Sequence, residues 1–292
     1  MDLSRTAKSF GKAALAALIV SIASVSSVLA QDGATDKGMG FQPAASPIAH
    51  EIHWFHDAIL MPVMIGISLL VLALLLIVIF KFNEKANPTP ATFTHNVPLE
   101  IAWTAIPVLI LIFIAIFSFP LLYKEDVVPA KYDVTVKAIG NQWFWQYEYP
   151  DHEGLSLTAN MLTKEDAAKE HKPYLLGTDT PVVVPVNKII RVQTTANDVI
   201  HSWAMPAFGV KIDAEPGRLN ETWFKAERTG TFYGQCSEIC GTRHAFMPIE
   251  IKVVTQAEYD AWILEQTGGS SAEAAPTNAA AASSEATPAP AQ

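Results

Sequence analysis

Two stretches without a charged side chain constrain this chain more than anything else in it. Ile59–Phe80 runs 22 residues with no Asp, Glu, Lys or Arg, and Ile101–Tyr123 runs 23. An α-helix rises about 1.5 Å per residue, so each stretch reaches ~33 Å, enough to cross a hydrocarbon core of ~30 Å. The polar linker between them carries Lys81, Lys85 and the turn signals Asn87-Pro-Thr-Pro. The two stretches therefore read as a helical hairpin over residues 51–124, with helices about 55–82 and 98–122 and both ends on one side of a membrane. Pro62 and Pro107 fall within the spans, which membrane helices tolerate when neighbours satisfy the freed carbonyls. His50, His53 and His56 recur at a spacing of three just before the first span. That spacing is one a metal can use, but the three histidines read as a polar cap at the membrane surface.

A third apolar block opens the chain and reads as a signal peptide over residues 1–30. Arg5, Lys8 and Lys12 precede the apolar run Ala13–Val25, and Val28-Leu29-Ala30 offers a small-residue cleavage site. A translocated N-terminus puts the linker in the cytoplasm, where its lysines belong, and everything after Tyr123 outside. Cleavage removes three basic residues and one acidic residue, so the net charge of −9 becomes −11. Such a surface repels nucleic acid and suits a basic protein partner.

After Asp126 the pattern changes from continuous to alternating. Residues 132–138, 142–149, 182–186, 188–195, 222–226, 231–235 and 249–254 read as short strands separated by Pro, Gly, Asn and Asp. A β-sandwich or Greek-key barrel over residues 125–266 follows. Residues 162–171 read as a helical insertion with Thr163 as N-cap, and 256–266 as a closing helix. The segment 31–50 reads as irregular. The Ala-, Ser- and Pro-rich tail 267–292 has almost nothing to bury and reads as disordered.

The only two cysteines lie in Cys236-Ser-Glu-Ile-Cys240-Gly-Thr-Arg-His244-Ala-Phe-Met247. Thiolate, imidazole and thioether together are what soft copper prefers, and His201 is a candidate second imidazole. An oxidising compartment makes a disulfide the rival reading. Joining Cys236 to Cys240 would close a tiny loop of little worth, and it would leave His244 and Met247 unexplained. Methionine is not a usual zinc ligand, and the Cys-x₂-Cys-His run of covalent haem is missing. A mononuclear copper site needs one cysteine. The second is explained if two copper ions share both sulfurs, each taking one histidine and one weaker donor, Met247 or the Glu238 carbonyl.

With these residues the chain resembles subunit II of the haem-copper cytochrome c oxidases of bacterial or mitochondrial type, over roughly residues 50–266. Leu99-Glu100-Ile101-Ala-Trp103-Thr104, Gln142-Trp143-Phe144-Trp145 and Val210-Lys-Ile-Asp213-Ala-Glu-Pro-Gly217-Arg218 match as well. The resemblance implies a two-helix transmembrane hairpin followed by an all-β, cupredoxin-like Greek-key barrel. It implies a dinuclear copper centre held by His201, Cys236, Glu238 through its carbonyl, Cys240, His244 and Met247, with the Glu238 side chain on a magnesium ion shared with subunit I. It makes Trp143 the residue through which cytochrome c passes its electron, and Glu148, Asp198 and Asp213 acidic docking positions. Glu100 would stand at the mouth of a proton channel. The implied partners are cytochrome c and subunits I and III, with no nucleic acid. The implied location is the bacterial inner membrane, with the copper domain and both mature termini in the periplasm. Asn141 stands where the family often has histidine. A quinol oxidase subunit would have the same hairpin but lack the copper ligands. A nitrous oxide reductase domain would share the copper loop but lack the hairpin, and a tethered copper carrier would favour exposed Met- and His-rich loops.

Overall fold

The computed structural model describes residues 38–152 and 154–268; the stretch 1–30 read as a signal peptide and residues 269–292 of the tail lie outside the described residues. Helix α1 spans Pro47–Lys81, with a π turn at His56–Leu60, and α2 spans Val97–Asp126. Both are long and apolar enough to cross a membrane, and their apolar side chains are exposed along the spans. The π turn directly precedes Pro62, whose ring cannot continue a regular ladder.

Helix α1 begins eight residues before the expected start at 55, within the stretch read as irregular. The local reason is an N-cap: Ser46 accepts from the Ala49 N–H at 3.1 Å, and Pro47 sits in the first turn, where its missing N–H costs nothing. The same Ser46 hydroxyl donates to the Phe208 carbonyl at 2.7 Å. Ala45, Ser46, Ile48 and Ala49 are buried, so the start of α1 is part of the β-domain's core. Helix α2 is tied down as well, through Trp223 Nε1–H donating to the Lys124 carbonyl at 3.1 Å and Lys124 pairing with Glu51 of α1 at 2.5 Å.

The β-domain holds ten strands: β1 (Val134–Asn141), β2 (Phe144–Glu148), β3 (Ser156–Ala159), β4 (Val182–Pro185), β5 (Ile189–Ala196), β6 (His201–Met205), β7 (Val210–Ala214), β8 (Asn220–Lys225), β9 (Gly230–Gln235) and β10 (Pro248–Val254). They form a five-stranded sheet in the order β3-β2-β1-β5-β8, a three-stranded sheet β4-β10-β9 and a β6-β7 pair. The β1–β5 and β4–β10 pairs are parallel and the rest antiparallel. Inward side chains of all three sheets, among them Trp145, Ile190, Phe232, Ile249 and Trp203, meet in one core. This is the cupredoxin-like sandwich behind a two-helix hairpin that the sequence led us to expect.

Short helices α3 (Lys164–Lys169) and α4 (Gln256–Gln266) fall in the two stretches read as helical, with Thr163 and Thr255 as N-caps. Three strands were not expected. β6 is buried at all five positions, so it shows no alternation. β7 mixes Lys211 and Asp213 with apolar residues, and β3 is only four residues long.

Gly234 in β9 lies against β6, where a Cβ would stand 1.9 Å from the Ala204 carbonyl oxygen. Backbone cannot yield as a side chain can, so Gly234→Ala should destabilise the domain by ~2 kcal/mol or more. The expected result is a thermal midpoint lowered by about 4–8 °C in detergent-solubilised protein. An unchanged midpoint would show that β6 and β9 separate freely.

Candidate metal centre

The twelve-residue loop Cys236–Met247 connects β9 to β10, whose antiparallel register closes with Pro248 opposite Gln235. Its neck is pinned by the Cys236 N–H donating to the Met247 carbonyl, and the Ser237 N–H donating to Ser202 ties it to β6. His201 is the first residue of β6 and is fully buried. Two glycines make room around the loop. A Cβ on Gly140 would lie 2.7 Å from the His201 ring, and one on Gly241, whose φ is 123°, would lie 3.0 Å from the Trp143 ring.

The two thiols lie 3.9 Å apart, both buried and unlinked. A disulfide needs sulfurs about 2.0 Å apart, so this is not one. Around each sulfur stand one imidazole and one weaker donor. Cys236 Sγ has His201 Nδ1 at 3.9 Å and the Glu238 carbonyl at 3.4 Å. Cys240 Sγ has His244 Nδ1 at 3.6 Å and Met247 Sδ at 3.5 Å. Among the described residues, His201, Cys236 and Cys240 form the group whose ligand atoms all lie within 4.8 Å of one another. His50, His53 and His56 are engaged otherwise: His50 with Glu227 at 3.2 Å, His56 with Asp57 at 2.8 Å, and His53 stacked on Phe41.

The thiols are pushed in opposite directions. Burial works to raise Cys236, but hydrogen bonds from His201 and the loop outweigh it and bring the thiol down to about 7. Burial and then the charge of the neighbouring Cys236 push Cys240 up to about 12. Two thiolates this close in a buried site repel each other, so both ionise together only with a cation between them. Soft sulfur and imidazole donors without a carboxylate side chain select copper over magnesium or calcium. The residues present fit a pair of copper ions.

The tryptophans divide as period two did not foresee. Trp145 lies in β2, is fully buried, and donates to the Met247 carbonyl at 3.4 Å. Trp143 is not in the strand; it sits half-buried in the β1–β2 turn and donates to the Cys240 carbonyl at 3.3 Å. Gln142, not singled out in the sequence, donates to the same carbonyl through Nε2 at 2.7 Å. Asn141 holds its side chain on the Ile139 carbonyl and the Asn197 amide, away from the cysteines' own contacts.

A family model described as the periplasmic domain of cytochrome c oxidase subunit II matches residues 134–254, and the subunit's transmembrane domain matches residues 34–121. The chain belongs to the cytochrome c oxidase subunit II family. It is 49% identical to cytochrome c oxidase subunit 2 of Cereibacter sphaeroides over 80% of this chain and 81% of that one. It is 46% identical to the subunit 2 of Triticum aestivum over 80% and 92%. A crystal structure of the periplasmic domain of subunit II from Bradyrhizobium japonicum is 56% identical, covers 49% of this chain and 98% of that chain, and has a TM-score of 0.45. As a family member the chain is a membrane protein and part of an oxidoreductase complex, and its family's domain is one that carries copper.

The remaining sequence-marked residues are spread apart. Glu100 lies in the first turn of α2, where Oε1 accepts from the Asn96 N–H at 3.2 Å beside an apolar cleft with Ile101, Thr104 and Val108. Glu148 pairs with Lys137 at 2.9 Å and Asp213 with Lys211 at 3.6 Å, both on the surface. Asp198 is drawn into the cysteine site through His201. Burial works to raise its carboxyl, but hydrogen bonds from His201 and from the Val199 and Gln142 N–H groups hold it below the usual carboxylate range.

The opposed thiols yield a direct test. In metal-free protein at pH 8, a small alkylating reagent should label Cys236 well before Cys240, because the thiolate is the nucleophile. Peptide mass mapping reads the order. Preferential labelling of Cys240 would contradict the assigned electrostatics.

Proposed function

We propose that this chain is the electron-input subunit of a respiratory cytochrome c oxidase. It accepts electrons from cytochrome c at a dinuclear copper centre and delivers them to haem a in subunit I, where oxygen is reduced to water and protons are pumped. The donor set carries this reading: two buried thiols 3.9 Å apart, each backed by one imidazole and one weak donor, in the surface loop Cys236–Met247. Cys236 and Cys240 would hold both ions, with His201, His244, Met247 and the Glu238 carbonyl completing the donor set. When bound, the copper pair supplies a one-electron store whose charge is shared across both sulfurs.

The rest is the work of this chain's own residues. Trp145 and Met247, both fully buried, keep water from the inner side of the loop. Trp143 stands between the surface and the cysteines, and one hydrogen bond joins its ring to the Cys240 carbonyl. That is a direct hydrogen-bonded route from the surface to a ligand's own backbone, and it supports Trp143 as the residue that receives the electron. Glu148 and Asp213 supply acidic charge to a basic cytochrome c, which steers encounter more than it adds affinity. The exposed Glu238 carboxylate suits a magnesium ion shared with subunit I. Glu100 opens α2 at the linker end of the hairpin, which is the cytoplasmic end if the domain is periplasmic; proton uptake there fits its place.

The domain and both mature termini would lie in the periplasm of a bacterial inner membrane, with subunits I and III beside the helices. The two candidate spans among the described residues put both ends of the hairpin on one side, and the lysines of the linker support a cytoplasmic linker. All six copper donors are present, so a quinol-oxidising role would leave a complete soft-metal site idle.

Trp143→Phe in the assembled oxidase should slow cytochrome c oxidation by about tenfold, equivalent to ~1.4 kcal/mol of barrier, with the copper absorption spectrum unchanged. A normal rate, or a shifted spectrum, would show instead that Trp143 supports the loop. Glu100→Gln should lower turnover severalfold at unchanged KM for cytochrome c. Turnover equal to the unsubstituted enzyme would remove Glu100 from proton uptake.

A further inference from the structure

Where the hairpin meets the β-domain, α1 and α2 enclose a cleft of about 640 Å³. Its polar rim is the ion pair between Glu51 and Lys124, whose side chains are both about half exposed. The other walls are largely aromatic. Trp54 and Phe55 come from α1, Phe117 and Tyr123 from α2, and the Trp54 and Phe117 ring centres lie 6.2 Å apart. Phe117 stands seven residues before Lys124, so the cleft runs ~10 Å from the rim into the membrane-spanning part of the hairpin. The level of the rim is fixed by the β-domain. Trp223 of β8 holds the Lys124 carbonyl, and Ile48 and Ala49, just before Glu51, are buried. The rim therefore lies at the membrane surface on the β-domain's side, where exposed amphipathic rings such as Trp54 and Tyr123 are favoured.

We propose that this cleft binds a phospholipid with a primary ammonium, phosphatidylethanolamine, its headgroup on the Glu51–Lys124 pair and its upper acyl chain against the aromatic walls. The pair engages one carboxylate oxygen, Glu51 Oε1, and one Lys124 N–H. An ammonium has three donors and a carboxylate two accepting oxygens, so Lys124 can still donate to a phosphate and Glu51 can still accept from an ammonium. A zwitterion meets both demands without separating the pair. An anionic headgroup suits the place less well. Glu125 and Asp126 follow Lys124 at the C-terminal end of α2, where the helix dipole also favours a cation. A choline headgroup has no N–H to give Glu51. Below the rim, the rings offer the first acyl carbons a surface to pack on. A lipid seated there fills the gap between the two helices directly under the β-domain, and its binding depends on the hairpin, independently of copper.

The test uses the assembled oxidase in detergent and a phosphatidylethanolamine with a photoreactive group near the start of one acyl chain. After illumination, mass spectrometry maps the labelled peptides of this chain. Labels should fall at Trp54, Phe55 and Phe117. Unlabelled phosphatidylethanolamine should displace them about fivefold better than phosphatidylglycerol or phosphatidylcholine, roughly what one charge is worth near a membrane surface. Glu51→Gln keeps Lys124 and removes the charge that receives the ammonium. That variant should erase the preference over phosphatidylglycerol. Labels confined to other segments, as when a helix of another subunit fills the cleft, would overturn the proposal. So would equal displacement by all three lipids in the unsubstituted oxidase, the behaviour of lipid that merely surrounds the helices. A Glu51→Gln oxidase that kept the full preference would also contradict it. If Glu51→Gln does not assemble, the order of displacement in the unsubstituted oxidase decides.

Discussion

Two buried thiols 3.9 Å apart are the constraint around which the rest of the domain is arranged. Burial raises both thiols; at Cys236 hydrogen bonds with His201 and the backbone outweigh it and bring the thiol down to about 7, while at Cys240 the charge of Cys236 adds to it and pushes the thiol up to about 12. A positive charge between them removes the conflict. The fold holds the thiols in place: β9 and β10 fix the two ends of the loop, β6 brings His201, and the β1–β2 turn clasps the Cys240 carbonyl from outside. Soft donors then surround each sulfur in the same way, one imidazole and one weak ligand.

The membrane hairpin is joined to this domain through several contacts. Ser46 caps α1 and bonds the Phe208 carbonyl, while Trp223 holds the end of α2 through Lys124. Ala45, Ile48 and Ala49 are buried against the β-domain at the start of the first span. The loop thus has a set position relative to the helices, as the proposed delivery of electrons to a neighbouring subunit in the membrane would require. Glu51 with Lys124 and His50 with Glu227 add polar contacts at the same level.

Much of this was legible in the residues. The two uncharged runs are long enough that length alone identifies them, and Cys236, Cys240, His244 and Met247 sit at spacings that favour one soft-metal loop. What was hidden depends in part on contacts with other segments and in part on local turns that the residue pattern does not mark. β6 has no alternation because it is covered on both faces, so the strand that carries His201 was invisible to period-two reasoning. Trp143 and Trp145 looked equivalent on one strand, yet only Trp145 is in it; β2 starts at Phe144, two residues later than the aromatic run suggests. Asp198 was legible as a charge but not as a partner of His201, because three residues of a loop must bend back to bring them together. Ser46-Pro47 was a readable helix start that the Gly- and Ala-rich stretch before it obscured.

The central claim is that both sulfurs serve two copper ions at once. Electron paramagnetic resonance of the purified oxidase in its oxidised state, taken together with a copper count on this chain, tests it most directly. The account predicts two copper ions per chain and a signal split by two equivalent nuclei that share one unpaired electron. A single copper with one-nucleus splitting, or a Cys236–Cys240 disulfide that persists under reducing copper loading, would contradict it.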